Sequence, residues 1–165
     1  MKELYLVGGT MGVGKTTVCR IMKTLLDNSV LLDGDWCWDM HPFTVTEETK
    51  RMVMGNIRFL LNSFIGCTAF ENVIFCWVMH EQGILDEILG GLDLSRCRVH
   101  AISLVCGEEA LIRRLEKDAA AGLRERDAVK RSVVRLPLYE KLNTRKVDVS
   151  TMSAEQAAEY IIKNC

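Results

Sequence analysis

Short apolar segments alternate with longer amphipathic ones along the chain. Five segments have the length and near-continuous hydrophobicity of strands that are buried on both faces, and they lie at 3–7, 30–32, 72–78, 98–105 and 146–149. Between them apolar residues recur at three- and four-residue spacing, as on the core-facing side of a helix. This spacing predicts helices after Lys15 and at 46–65, 81–90, 107–120, 131–142 (with a break near Pro137) and 154–163. Thr44 and Glu47 have the spacing of a capping box at the start of the second of these helices.

The alternation of strands and helices, without repeats or a linker, predicts an α/β fold in three layers. We expect one domain spanning 1–165, with a five-stranded parallel sheet flanked by helices and joined by right-handed crossovers. In such sheets ligands bind at the carboxyl ends of the strands. The residues that follow predicted strand ends, and should therefore share one rim, are Gly9, Asp33, Asp35, Trp77, His80, Cys106 and Ser150.

Composition and net charge indicate which partners and which cellular compartment to expect. The chain has 165 residues, 48% of them hydrophobic, and a net charge of −1, so no overall field draws it to nucleic acid or to acidic membranes. Its seven cysteines are odd in number and form no C-x-x-C pair, which favours free thiols in a reducing compartment. With no apolar run of membrane-spanning length, we expect a cytoplasmic protein with no nucleic-acid or membrane partner, either a monomer or a homodimer.

A glycine-rich sequence lies between the first predicted strand and the first predicted helix. It fits G-x-x-x-x-G-K-[ST], the Walker A or P-loop pattern, whose backbone N–H groups surround the phosphates of a nucleotide. Lys15 can reach the β- and γ-phosphate oxygens, and the Thr16 hydroxyl can bind Mg²⁺. The sequence therefore predicts a site for ATP and Mg²⁺, with nucleotide-binding residues Gly9, Thr10, Met11, Gly12, Val13, Gly14, Lys15, Thr16 and Thr17.

Two carboxylates follow the second predicted strand, in Asp33-Gly34-Asp35. One can orient a Mg²⁺-bound water while the other accepts a proton from a substrate hydroxyl. Asp-Gly is also a common turn pair, so a purely structural role is the alternative. Their position on the same predicted rim as the P-loop favours the functional interpretation.

Leu32-Asp33-Gly34-Asp35, followed by His41-Pro42, resembles the small P-loop kinases: gluconate kinase, shikimate kinase and the chloramphenicol phosphotransferase group, and more distantly the nucleoside monophosphate kinases. The resemblance implies that Asp35 is the base or hydroxyl anchor and that Asp33 is the carboxylate on the magnesium side. The spacing departs from that of gluconate kinase because residues 36–40 intervene, which leaves a sugar-acid substrate in doubt.

An arginine-rich lid at about 117–130 is implied by the same resemblance. In Leu111-Ile112-Arg113-Arg114-Leu115, Arg114 takes the place of the arginine that lies against adenine, although Asp118 stands where a second arginine is found in adenylate kinases. The resemblance implies that Arg124, Arg126 and Arg135 lie near the transferring phosphate, with Arg131 on the helix that follows the lid. It also implies that Ser150 lies near the adenine pocket. A solvated basic face is the alternative for these arginines.

The sequence indicates the residues that would bind the phosphoryl acceptor less specifically than those that would bind ATP. Its candidate residues, besides the two aspartates, are Trp36, Trp38, His41, Arg58 and His80. Trp77 could form part of the same wall, but a position in the core is favoured for it. The strand at 72–78 ends without the acidic residue that motor ATPases and GTPases place there, and no N-K-x-D guanine motif occurs. Two hypotheses remain: an ATP-dependent kinase that phosphorylates a hydroxyl (or phosphate) of a small molecule, and a nucleotide-binding module that transfers nothing.

Overall fold

The computed structural model describes residues 1–122 and 127–165, and within them the strands and helices alternate as the sequence predicts. Apart from a short 3₁₀ turn at Gly34–Trp38, the elements in chain order are β1 (Lys2–Gly8), α1 (Lys15–Leu25), β2 (Ser29–Asp33), α2 (Glu47–Gly66), β3 (Asn72–Cys76), α3 (Gln82–Leu89), β4 (Cys97–Val105), α4 (Glu108–Ala120), α5 (Asp127–Glu140), β5 (Arg145–Asp148) and α6 (Ala154–Asn164).

The five strands form one parallel sheet in the order β2-β3-β1-β4-β5, which confirms the predicted fold class. β1 is central, and its register pairs Leu6 with Phe75 on one side and Ala101 on the other. Its side chains are buried on both faces because helices cover each side of the sheet. The loop after β1 therefore leaves the sheet at the middle of its carboxyl edge.

Two hydrophobic cores lie on opposite faces of the sheet. Leu4 and Leu6 of β1 point to the face covered by α2 and α3, where they join Ile57 and Ile88. Tyr5 and Val7 point to the other face, which α1, α4 and α6 cover. This alternation is the two-residue period of a strand, and it produces the three predicted layers.

Some boundaries differ from the prediction. α2 begins two residues later than the predicted capping box. Thr46 is its cap: the Thr46 hydroxyl accepts a hydrogen bond from the Thr49 amide (3.1 Å), and the Thr46 amide donates to the Thr49 hydroxyl (2.8 Å). A threonine at the third helical position thus does the work that the prediction gave to Glu47. β3 ends at Cys76, two residues before the end of the predicted strand.

Helix α5 begins four residues before the predicted start and continues through Pro137 without the expected break. Proline removes one helical N–H donor, but Tyr139 in the next turn is fully buried and its hydroxyl is hydrogen-bonded, which fixes the helix beyond the proline. The predicted lid at 117–130 thus includes the end of α4 and the start of α5. Arg124 and Arg126 lie outside the described residues.

In the described parts of the chain, no helix combines the length and the hydrophobicity that crossing a bilayer requires.

Candidate functional site

The P-loop connects β1 to α1 and has the backbone that its glycines permit. Gly14 is the residue before α1 and has φ +103°, a conformation that side chains with a Cβ rarely adopt. The first backbone N–H groups of a helix have no partner within the helix, and the helix dipole makes this end positive. The loop and the start of α1 therefore present donors to an anion.

A cavity of about 310 Å³ opens over this loop. Gly12, Gly14, Lys15, Thr16 and Thr17 of the predicted phosphate-binding segment line it. A second cavity, of about 200 Å³, continues it past Val13, Val18 and Met152. The P-loop thus lies between a polar cavity fit for phosphates and a more apolar one fit for a nucleobase.

Arg114 of α4 lines both of these cavities. Its guanidinium donates to the carbonyl oxygens of Val13 (3.0 Å) and Val149 (2.6 Å), so it joins the P-loop to the end of β5. Ser150 has a different place. Its hydroxyl donates to Asp148 (2.6 Å) and accepts from the Gly107 amide (2.9 Å), and it lies outside the described lining of the two cavities. Its contacts are those of a turn residue.

Thr16 and Asp33 meet beside the P-loop. The Thr16 hydroxyl donates to Asp33 Oδ2 at 3.0 Å, and the Asp35 amide donates to Asp33 Oδ1 at 3.1 Å. Asp33 is only 5% exposed, so these bonds fix its carboxylate. A hydroxyl and a carboxylate are the hard oxygen donors that Mg²⁺ prefers, with water and phosphate oxygens completing its shell. The described residues contain no cluster of three or more His, Cys, Asp or Glu side chains that could hold a metal ion.

The largest cavity at this rim, about 750 Å³, joins the P-loop to the predicted acceptor residues. Lys15 and Thr16 of the P-loop line it together with Asp35 and with Arg135 of α5. The tryptophans Trp36, Trp38 and Trp77 form much of the remaining wall. One cavity is therefore lined by the P-loop lysine, a carboxylate and an arginine, residue types that recur in phosphoryl-transfer sites.

Two hydrogen bonds tie α5 to this rim, and sequence reasoning missed both. Thr10 in the P-loop donates through its hydroxyl to the Ser132 carbonyl at 2.9 Å, and the Tyr139 hydroxyl donates to the Val78 carbonyl at 2.6 Å. Burial raises the pKa of the Tyr139 phenol well above its ordinary value, so it remains a donor. Arg135 lies on α5 between these two attachments, which hold this part of the helix against the cavity.

Trp77 corrects a prediction. It was expected in the core, and it does pack against the core on the α2 side, but it is only half-buried and also lines the cavity beside Asp35. Its indole packs on the backbone of Gly34, where an added Cβ would lie 2.5 Å from Trp77 Cγ. The glycine of Asp33-Gly34-Asp35 therefore makes room for the indole, and the two aspartates flank it. The turn-forming role of the Asp-Gly pair hid this contact from sequence reasoning.

Behind Trp77 lies a further cavity of about 500 Å³, which we call the aromatic compartment. It is lined by Trp38, Val45, Glu47, Lys50, Arg51, Met54, Trp77, Val78, His80, Ile84, Glu87 and Arg135. Burial lowers the pKa of His80 below its usual value, and the charge of Arg135 lowers it further. His80 is therefore neutral at pH 7, in a compartment of mainly uncharged walls.

Two predicted substrate residues do not join these cavities. His41 is exposed and outside their described lining. Arg58 of α2 forms an ion pair with Glu87 of α3, and its side chain covers the backbone of Gly91. The ion pair with Glu87 accounts for the orientation of the Arg58 side chain without a bound substrate.

Comparison with known proteins agrees with this geometry. A family described as "AAA domain" matches residues 6–131, a segment that includes the P-loop, the aspartate pair and α4. The chain is also 29% identical over 139 residues to an uncharacterized ABC transporter ATP-binding protein, YurJ, of Bacillus subtilis (strain 168). That match covers 82% of this chain but only 34% of the relative, so the chain spans about a third of its length.

Solved structures resemble the chain over nearly its whole length. A gluconokinase from Sinorhizobium meliloti 1021 superposes with a TM-score of 0.70 at 15% identity, covering 98% of this chain and 90% of that one. A tunicamycin resistance protein from Deinococcus radiodurans gives 0.68 at 15% identity, covering 99% and 95%. A shikimate kinase from Acinetobacter baumannii gives 0.64 at 22% identity, covering 99% and 92%. At these identities the likeness is one of fold, and it confirms the predicted P-loop α/β architecture.

Proposed function

Because the chain belongs to this AAA domain family of P-loop proteins, we propose that it is an ATP- and Mg²⁺-dependent kinase that phosphorylates a hydroxyl of a small molecule. The observation that carries the proposal is the cavity that joins Lys15 and Thr16 to Asp35 and Arg135. A donor site and an acceptor carboxylate share one space there. The folds of the gluconokinase and the shikimate kinase add support.

On the donor side, the P-loop amides and Lys15 bind the β- and γ-phosphates of ATP, and Arg114 contacts the nucleobase from its place between the two smaller cavities. Thr16 and Asp33 would hold Mg²⁺, which neutralises charge on the phosphate oxygens when bound. Arg135 extends toward the γ-phosphoryl group, where its planar donors match the equatorial oxygens of the transition state. Catalysis is then mainly positioning and electrostatic stabilisation.

On the acceptor side, Asp35 receives the substrate hydroxyl. The acceptor oxygen forms a bond to the γ-phosphorus as the bond from that phosphorus to the β,γ-bridging oxygen breaks, and ADP leaves. The hydroxyl proton passes to the Asp35 carboxylate and from there to water. Asp35 is exposed and lines the cavity while Asp33 is held by Thr16, which supports giving Asp35 the acceptor role and Asp33 the magnesium role, the division that the resemblance to the small P-loop kinases implies.

An alternative proposal is a nucleotide-binding module that transfers nothing. Its support is the sequence after β3, where Trp77-Val78 stands in place of the acidic residue of motor ATPases. The small kinases instead use the P-loop hydroxyl and the aspartate pair, both of which this chain has. We therefore favour the kinase.

The test is ADP formation from MgATP in the presence of a panel of sugar acids, nucleosides and antibiotic-type alcohols. For an alcohol that stimulates ADP formation, Asp35→Asn should lower kcat by about 10²-fold or more, the usual size of a general-base contribution. Asp27→Asn, an exposed aspartate at the far end of α1, is the matched control and should keep full turnover. Full turnover in Asp35→Asn would refute its role, and tight MgATP binding with no stimulation across the panel would favour the alternative.

A further inference from the structure

The aromatic compartment has an unusual wall for a site that accepts a polar alcohol. Two indoles and an imidazole face it, and its other uncharged lining residues are Val45, Met54, Val78 and Ile84. A volume of about 500 Å³ is enough for a bicyclic ring with its substituents, within the range of small-molecule sites. The chemistry of this wall therefore affects which class of acceptor the site binds.

The compartment adjoins the cavity that Asp35 lines. Trp38, Trp77, Val78 and Arg135 line both spaces. A molecule that placed its hydroxyl at Asp35 would therefore extend its body between Trp38 and Trp77 into the compartment. The packing of Trp77 on Gly34 fixes the indole at the junction.

Five of the twelve lining residues of the compartment are charged: Glu47, Lys50, Arg51, Glu87 and Arg135. Glu47 and Lys50 form an ion pair at 2.9 Å, and Glu87 is held by Arg58. His80 is neutral because burial and Arg135 lower its pKa. Glu47, Lys50 and Glu87 are more than half exposed, so these pairs lie toward solvent, while Trp38, Trp77, Val45, Met54, Val78 and Ile84 supply the apolar surface of the wall.

Such a wall discriminates between classes of alcohol. A sugar acid carries a hydroxyl on nearly every carbon, and each hydroxyl that loses water needs a new partner to avoid a desolvation cost. An aromatic ring needs no such partners, and it gains by stacking on indole faces or edges. The wall therefore favours a ring over a polyol.

Resting on the proposed kinase function, we propose that the acceptor is an alcohol that carries an aromatic ring, with the ring in the compartment of Trp38, Trp77 and His80 and the hydroxyl at Asp35. Trp38 and Trp77 are then specificity-determining residues. This substrate class differs from the sugar acid that the likeness of Asp33-Gly34-Asp35 to gluconate kinase would suggest.

The test measures binding and turnover separately on the full chain saturated with a non-hydrolysable ATP analogue and Mg²⁺. Saturation-transfer NMR compares 2-phenylethanol, indole-3-ethanol and uridine with gluconate. We expect signals from the aromatic alcohols only, and a Kd for indole-3-ethanol that rises about tenfold or more in Trp38→Ala, the size expected for a lost stacking contact. Trp38→Phe should restore binding to within about twofold, since it keeps an aromatic face.

Phe59→Ala is the matched control, because Phe59 is an aromatic residue of α2 that is 71% exposed and lies outside the compartment. It should leave the Kd for indole-3-ethanol unchanged. Equal losses in Phe59→Ala and Trp38→Ala would mean nonspecific binding to exposed rings and would overturn the inference.

Turnover of MgATP with the same alcohols distinguishes this inference from the kinase proposal. Binding and phosphorylation of gluconate, without binding of any aromatic alcohol, would overturn the aromatic acceptor and leave the kinase standing. Binding of aromatic alcohols that is sensitive to Trp38, with no added ADP formation, would support the ring site and refute the kinase. Binding of none of the three aromatic alcohols would overturn the inference.

Discussion

Tyr139 attaches the end of α5 to the wall of the active cavity, and Tyr139→Phe tests that attachment alone. The ring is fully buried, so phenylalanine keeps the packing and removes only the hydroxyl. What is lost is the hydrogen bond to the Val78 carbonyl at 2.6 Å. That carbonyl then keeps one described donor, the Gly9 amide, at a long 3.4 Å.

The structure sets the expected magnitude. A net hydrogen bond contributes about 1 kcal/mol to stability, and a buried acceptor left without a good partner costs about 1–3 kcal/mol. Because the remaining bond from Gly9 is weak, we expect Tyr139→Phe to lower the free energy of unfolding by about 1.5–2.5 kcal/mol. For a domain of this size that corresponds to a fall in Tm of about 3–10 °C. Arg135 lies one turn earlier on α5, so acceptor-stimulated ADP formation should fall as well.

The assay is urea unfolding followed by circular dichroism, at pH 6 and at pH 9. Burial raises the pKa of Tyr139, and an unfolded tyrosine ionises near pH 10, so the difference between variant and wild type should be the same at both pH values. Tyr160→Phe is the control, since Tyr160 is 38% exposed and its hydroxyl has no hydrogen bond among the described residues; it should change stability by less than about 0.5 kcal/mol. If Tyr139→Phe costs no more than Tyr160→Phe, the attachment of α5 through this bond is refuted.

Three further predictions concern the rim. Gly34→Ala places a Cβ against the Trp77 indole, so it should shift tryptophan fluorescence and cost about 1–3 kcal/mol on unfolding; an unchanged spectrum and stability would contradict the contact. Arg114→Lys loses the two carbonyl hydrogen bonds that a guanidinium makes here, and calorimetry should give ATP binding weakened about 10–100-fold; wild-type affinity would argue against Arg114 as the bridge. Burial and the charge of Arg135 lower the pKa of His80, so below about pH 6.5 the imidazole is protonated to a greater extent in the unfolded chain than in the folded one. The folded state therefore loses stability as the pH falls. His80→Gln should lose less stability between pH 6.5 and 5 than the wild type does. If the free energy of unfolding depends on pH in the same way in both proteins, the direction of the His80 pKa shift is contradicted.

Local patterns predicted much of the site because its donor half is a local structure. The residues from Gly9 to Thr16 are contiguous, and their function depends on backbone donors and on a following helix, both of which the sequence pattern specifies. Asp33 also lies where the pattern predicts, at the end of β2 and bonded to Thr16. Local patterns did not predict the order of the strands within the sheet, because neighbouring strands come from distant segments and their pairing depends on how whole faces pack.

Predictions that depended on contacts between distant residues fared worse. Trp77 was expected in the core because it continues an apolar strand, but β3 ends before it and the indole turns onto Gly34. The ion pair of Arg58 with Glu87 joins two helices and has no local signal. The break expected at Pro137 reflects local helix propensity, which the burial of Tyr139 overrides.

The sequence by itself determined that this chain has a P-loop after a central strand, an aspartate pair on the same rim and a parallel α/β sheet. These features depend on residues a few positions apart and on the period of apolar residues. Only the tertiary structure decided that α5 carries Arg135 to the cavity, and that Trp38, Trp77 and His80 enclose a space beside Asp35. The reason is physical: a cavity and its wall form where side chains from separate elements meet, and their meeting is set by the packing of helices on both faces of the sheet.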